Sequence, residues 1–323
     1  MGRRAGHRQN EQLVNSIITI TLPFFALIGC GYVAGRKGLL GDEGIKGLNA
    51  FVLYFALPCL IFGSLAAKPL SDIVNPEFMS AYLAASIAVF AAASFMGRLL
   101  FKGNLAISAL QGQAASVGNV GYLALPLITA LLGVEATLPV VLGWLVDLVI
   151  LVPLSIALLE INKQTGGAWN NFLAKVIKGV VFNPFVLSIL AGVLYATSGL
   201  AVPAPLASFT GLLGKAAGPC ALFALGVTLA GRPISEGLGE ALYMSAFKLF
   251  IHPTVMWVSM VMIFKIEPLW ATAAVLTAAA PVAGNVYIVA QSFGIYVLRA
   301  STSVFISTAI AVLSFSALAA LLT

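Results

Sequence analysis

Gly118-Asn119-Val120-Gly121-Tyr122-Leu123-Ala124-Leu125-Pro126 lies inside one apolar run, 105–132, and Ala280-Pro281-Val282-Ala283-Gly284-Asn285-Val286 lies inside another, 268–293. Each run exceeds the roughly 20 residues that a helix needs to cross a hydrocarbon layer. Each also holds the means to break that helix. Proline lacks a backbone donor and clashes with the preceding turn, and glycine tolerates unusual dihedrals. At mid-depth in a bilayer, unpaired backbone is tolerated only where protein buries it or a wet cavity receives it. Two matched breaks therefore suggest a shared site. Half-helix N-termini there offer N–H groups and positive dipole ends to an anion, and the amides of Asn119 and Asn285 add donors and acceptors. The competing reading is a packing kink in which each Asn bonds a neighbouring helix. One Gly-Asn-Val triplet alone favours the kink; the pair favours a site formed by Gly118, Asn119, Val120, Pro281, Gly284, Asn285 and Val286. Gln111 and Gln113, a few residues before the first break, are candidates to line the same cavity.

Composition extends this reading to the whole chain. Of 323 residues, 60% are hydrophobic and 9% charged, against about 25% charged in soluble domains, and mean hydropathy is +1.04. So few charges cannot cover a water-soluble globule, so lipid faces much of the surface. The net charge of +6 is scattered singly between apolar runs, which speaks for topology rather than a nucleic-acid face. Cys30, Cys59 and Cys220 sit in apolar segments without metal or redox spacing and read as packing residues.

Ten runs suit membrane helices, at 13–35, 45–66, 77–101, 105–132, 137–160, 183–200, 205–231, 239–265, 268–293 and 300–322. The expected organisation is a polar N-terminal tail (1–12, with Arg3, Arg4, His7 and Arg8), a first five-helix repeat (13–160), a cytoplasmic linker (161–182) and a second five-helix repeat (183–323). Trp169, Phe172, Leu173 and Val176 suit a short interfacial helix within the linker.

Five is odd, so a homologous second set must be inverted. The halves echo one another in order. Leu22-Pro23-Phe24 matches Asn183-Pro184-Phe185, Gly31 matches Gly192, and Pro58-Cys59 matches Pro219-Cys220, all at an offset of 161 (184 − 23). Gly118-Asn119-Val120 matches Gly284-Asn285-Val286 at an offset of 166 (284 − 118). An inverted repeat is the preferred reading. The loops after helices 1, 3, 5, 7 and 9 hold Arg36, Lys37, Lys46, Arg98, Lys102, Lys163, Lys175, Lys178, Arg232 and Arg299, while the opposite loops hold Lys68 and Lys265 beside the arginines of the tail. The bias places both termini outside the cytoplasm.

Ionisable residues within spans suggest function by default. Asp147 in helix 5 is expected to bind a cation, to pair, or to take up a proton. Lys248 and His252 share a face of helix 8 at i and i+4, either on a proton or cation path or in a structural pair. Lys215 reads as snorkelling or lying near a helix end. No G-x-x-x-x-G-K-[ST] phosphate loop, H-E-x-x-H pair or serine elbow occurs, so ATP hydrolysis by that route and hydrolase chemistry find no support.

Asn49 to Pro58 (Asn-Ala-Phe-Val-Leu-Tyr-Phe-Ala-Leu-Pro), Gly118 to Pro126 and Ala280 to Val289 (Ala-Pro-Val-Ala-Gly-Asn-Val-Tyr-Ile-Val) resemble the bacterial branch of the auxin efflux carrier family. The resemblance covers essentially the whole membrane region. It implies an all-α integral membrane protein of about ten helices in two inverted repeats, with a scaffold from helices 1, 2, 6 and 7. It also implies a mobile unit from helices 3 to 5 and 8 to 10, and crossover helices 4 and 9, as in bile-acid sodium symporters. The family's crossover asparagines fall on Asn119 and Asn285, and bacterial relatives are commonly labelled carriers of small carboxylates such as malonate or malate. The expected function is thus a secondary transporter of a small organic anion, not an enzyme, in the bacterial inner membrane. No cofactor or nucleic acid is expected. A coupling proton or sodium ion, membrane lipid and a homodimer through the scaffold helices complete the expected partners. A channel or a membrane-embedded sensor is the alternative.

Overall fold

The computed structural model describes residues 21–69, 73, 75–162, 174, 177–231 and 237–323. The basic tail, the linker's proposed interfacial helix with Lys163, Lys175 and the Gly166-Gly167 pair, and Arg232 lie outside the described residues. Those described form α-helices joined by short connections: α1 (21–36), α2 (Asp42–Ala66), α3 (Pro76–Phe101), α4a (Leu105–Ser116), α4b (Val120–Leu132), α5 (Val134–Asn162), α6 (Pro184–Thr197), α7 (Ala204–Ala230), α8 (Leu238–Ile263), α9a (Pro268–Ala278), α9b (Gly284–Phe293) and α10 (Val297–Leu322). Several start on a polar cap. Asn75, Asn104 and Asn183 each accept a backbone N–H from the first turn of α3, α4a and α6, satisfying a donor that the helix itself leaves free.

The exterior is apolar. Leu313 is 77% exposed, Leu212 73% and Leu194 68%, a distribution that suits hydrocarbon and not water. Among the described residues six helices are long and apolar enough to cross a membrane, and the chain is an all-α integral membrane protein.

The helices pack as two groups. In one, α2 lies on α6 and α7, and α1 lies on α7. That last contact is so close that a Cβ on Gly31 would stand 2.1 Å from the carbonyl oxygen of Phe223. Gly192, the echo of Gly31, does the same work for α6 on α2: its Cβ would stand 2.8 Å from that of Leu65. The matched glycines thus permit matched crossings, which is what a repeated unit requires. In the second group α3 packs along α4a, α4a on α5, α8 on α10, α9a and α3, and α9b on α10. The groups meet where α7 crosses α4b, where Trp144 of α5 packs on Phe185 of α6 with ring centroids 4.3 Å apart, and where Tyr122 Oη of α4b donates to Asn49 Oδ1 of α2 over 2.9 Å.

Candidate functional site

Both expected breaks are present, and they face each other. α4a ends at Ser116, with Val117 extended, and α9a ends at Ala278. The Asn119 N–H donates to the Pro281 carbonyl over 2.8 Å, and the Ala283 N–H donates to the Val117 carbonyl over 3.2 Å. Gly118 and Val282 thereby form an antiparallel bridge. The Val282 N–H donates to Ser307 Oγ of α10 over 3.0 Å. Each interrupted helix supplies the partners that the other lacks, which is how two breaks coexist away from water. Two half-helices then start beside the crossing: α4b directly after Asn119, and α9b with Asn285 as its second residue. Asn119 is 6% exposed. The Asn285 Oδ1 is buried without a hydrogen-bond partner among the described residues.

Behind the crossing lies a buried lysine, Lys248. Lys248 Nζ donates to the carbonyl of Ala278, the last residue of α9a, over 2.6 Å. It lies 3.0 Å from His252 Nδ1, whose Nε2 is 3.3 Å from Ser86 Oγ. A Cβ on Gly118 would stand 3.1 Å from the same Nζ, so the amine lies beside the break after α4a. Helix C-termini leave carbonyls without intrahelical partners, and Lys248 supplies one for α9a. The i and i+4 pairing of Lys248 with His252 is present as expected. Asp147, 0% exposed, is different. It accepts only a long bond from Tyr82 Oη, 3.5 Å, and its Oδ1 has no partner among the described residues. It makes no ion pair with Lys248 within 4.0 Å, the ion pairs among the described residues being Lys68 with Glu135 and Arg299 with Glu240.

Prolines set where these side chains stand. Val52–Ala56, Val120–Ala124, Asp147–Leu151 and Phe247–Ile251 are π-turns, and each begins six residues before a proline: Pro58, Pro126, Pro153 and Pro253 (58 − 52, 126 − 120, 153 − 147, 253 − 247). A proline ring clashes with the carbonyl four residues back. In each case the residue just before the proline donates five residues back, as Val152 does to Asp147 and His252 to Phe247, and the widened turn makes room. Asp147 and Lys248 both lie in such turns, as sites of function often do.

Other expectations resolve differently. Gln113 Oε1 accepts from Ser155 Oγ of α5 over 2.9 Å, and its Nε2 is unpartnered among the described residues. Gln111 belongs to another cluster, donating to Glu240 Oε2 over 3.1 Å. Lys215 is not near a helix end: it stands 11 residues after the start of α7 and 15 before its end (215 − 204, 230 − 215). Glu240 escaped the sequence reading. It is 7% exposed, takes Arg299 Nη1 at 2.6 Å and also accepts from Tyr296 Oη, so one carboxylate ties α4a, α8 and the start of α10 together. The available signal is an acid and an arginine at the starts of two neighbouring helices, α8 and α10, of which only Arg299 enters the topology argument.

A profile described as membrane transport protein matches residues 16–318. A protein of Rhizobium meliloti (strain 1021) that carries the provisional name of malonate transporter is 33% identical over 305 residues, 94% of each chain. The uncharacterized transporter YfdV of Escherichia coli (strain K12) is 27% identical over 88% of this chain and 91% of its own. The lysosomal cholesterol signaling protein of Mus musculus is 27% identical over 68% of this chain but only 26% of its own length. Among the described residues six helices are long and apolar enough to cross a membrane, two broken helices pair at Gly118 and Val282, and the profile runs nearly end to end: the chain belongs to the membrane transport protein family, the auxin efflux carrier-like family that its motifs resemble.

Proposed function

We propose that the protein is a secondary carrier that moves a small organic anion, a carboxylate by class, through alternating access, with substrate held where α4b and α9b begin. The back-to-back pairing of the two breaks carries this reading. It sets the starts of two half-helices beside each other, one directly after Asn119 and one with Asn285 as its second residue, and backbone N–H groups and positive dipole ends there suit an anion. Gly118, Asn119 and Val120 serve from one side, Gly284, Asn285 and Val286 from the other, and Pro281 holds the second break open. Gln113 extends the wall toward α5. The group of α1, α2, α6 and α7 serves as scaffold, and the remaining helices move against it. The provisional name of the Rhizobium relative supports a carboxylate.

Asp147, Lys248 and His252 form the coupling path for a proton or a sodium ion. The protein resides in the inner membrane of a bacterium with both termini outside the cytoplasm, in keeping with the lysine and arginine bias. A homodimer through the scaffold uses the lipid-facing sides of α2 and α7, where Tyr54, Phe55, Phe209 and Leu212 are exposed. The mouse relative's name favours one second reading, a membrane-embedded sensor that binds without flux.

Uptake of radiolabelled carboxylates into proteoliposomes tests the site. Asn119→Ala and Asn285→Ala are each expected to abolish saturable uptake and counterflow while the protein still folds. Unchanged transport in both variants removes the crossover from the mechanism, and binding without flux in the wild type favours the sensor.

A further inference from the structure

Away from the crossing, a cavity of about 620 Å³ opens between α1, α2, α4b and α7. Its walls include Phe24, Leu60, Pro126 and Pro219, with hydroxyls only from Ser64, Thr129 and Thr210. Pro126 lies seven residues beyond Asn119 on α4b (126 − 119), so the cavity reaches to within roughly 10 Å of the crossing at 1.5 Å per residue. Among the described lining residues one carries a charge, Lys215. It takes part in neither of the ion pairs found among the described residues.

Lys215 is an exposed residue that lines this cavity and stands far from either end of α7. Eleven residues separate it from the nearer end of α7, roughly 16 Å of helix, while an extended lysine stem reaches about 6 Å. A lysine at that depth is costly in hydrocarbon and by default marks a pathway. The space around it is also kept open against local preference. A Cβ on Gly211, one turn before Lys215, would meet nothing within 4 Å, and one on Gly63 across the cavity would meet only Thr210 Oγ1 at 3.8 Å. A glycine in a helix interior costs about 1 kcal/mol relative to alanine, and neither of these two gains a close crossing in return.

We propose that Lys215 is a specificity-determining residue: it receives the carboxylate of an arriving substrate in this cavity, which selects one anionic head on an apolar body over a compact dianion. The inference rests on the carrier reading of the crossing only in treating the cavity as the substrate's approach. One ammonium satisfies one carboxylate. A second carboxylate on a three-carbon chain would lie against apolar wall and lose hydration without a partner, whereas a hydrocarbon body fills a space in the range usual for sizeable ligands, about 300–1,000 Å³.

Isothermal titration of the purified full chain with octanoate and with malonate tests this on the wild type, Lys215→Met, Lys215→Arg and Gly211→Leu. The wild type is expected to bind octanoate more tightly than malonate. Lys215→Met should weaken octanoate about tenfold or more, the loss of one charge-assisted bond, and Lys215→Arg should largely restore it. Gly211→Leu, which keeps the charge and fills the space, should also weaken octanoate. Equal octanoate affinity in the wild type and Lys215→Met overturns the proposal, as does a malonate preference that Lys215→Met abolishes, or a co-purified anionic lipid that octanoate fails to displace. Binding is read without flux, so the two readings fail separately: unchanged transport in the asparagine variants sinks the crossover site and leaves the Lys215 result standing.

Discussion

Asp147→Asn separates a coupling role from a structural one, because the geometry fixes how much stability the substitution should cost. Had the carboxylate been half of a buried contact pair, removing its charge would leave a lysine uncompensated and cost about 3–5 kcal/mol. Its nearest hydrogen-bonding group is instead Tyr82 Oη at 3.5 Å, a length at which such a bond is weak, and Oδ1 has no partner among the described residues. Asparagine retains an acceptor for the tyrosine, so the hydrogen-bond part of the loss stays within about 1 kcal/mol, and with no ion pair within 4.0 Å among the described residues the charge part is expected to stay small. At about 2–4 °C per kcal/mol, the melting temperature in detergent should move by only a few degrees. Transport should respond differently. The isosteric amide neither takes up a proton nor balances a cation at that depth, so acceleration of flux by an imposed pH or sodium gradient should vanish while substrate binding persists. Flux in proteoliposomes under each gradient, beside the melting temperature, checks both. A normally folded variant with an intact gradient response refutes the coupling role, and a fall of 10 °C or more, the order expected for a broken buried pair, refutes the geometric argument.

Gly118→Ala should cost about 1–3 kcal/mol and most of the transport, since the new methyl group would press on Lys248 and on the Thr277 carbonyl at 3.1 to 3.2 Å in a packed crossing; Gly211→Ala, with open space around it, should be neutral or slightly stabilising by thermal melting. Arg299→Met should destabilise by about 2–4 kcal/mol in the same assay, because it strips a buried carboxylate of its cation, discounted because Arg299 is 41% exposed. Lys68→Ala should change stability by less than about 1 kcal/mol, since its ion pair with Glu135 is largely solvent-exposed; a larger fall in the melting temperature would mean that the pair does more than an exposed contact can.

Much of this was legible from residue order. Apolar runs gave the helices to within a few residues, because a segment that must span lipid cannot hide its composition. The breaks at Gly118 and Pro281 were legible because glycine and proline act locally on the backbone. What the order of residues could not supply was partnership between distant elements. Nothing local in Gln111 distinguishes a cavity wall from a bond to Glu240, 129 residues away. Arg299 reads as a loop charge and Glu240 as nothing in particular until α8 and α10 are seen side by side. Lys215 differs for another reason: its distance from a helix end is set by the full length of α7, which residue order leaves open.

The widened turns ahead of the prolines change the angular phase of the helices that contain them. One residue added to a turn advances everything beyond it by about 100° around the axis. A helical wheel drawn for α5 or α8 with uniform spacing therefore assigns the wrong face to every position past the turn, and a designer who placed substitutions by such a wheel would put polar groups into lipid. The same arithmetic gives Pro153 and Pro253 an influence far from their own contacts. With Pro253 replaced, the turn over Phe247–Ile251 is free to tighten, and the half of α8 before it would swing relative to the half after it. Lys248 would then leave the Ala278 carbonyl without any change at either residue, and the end of the first half of the second broken helix would lose that donor through a rotation set one turn away.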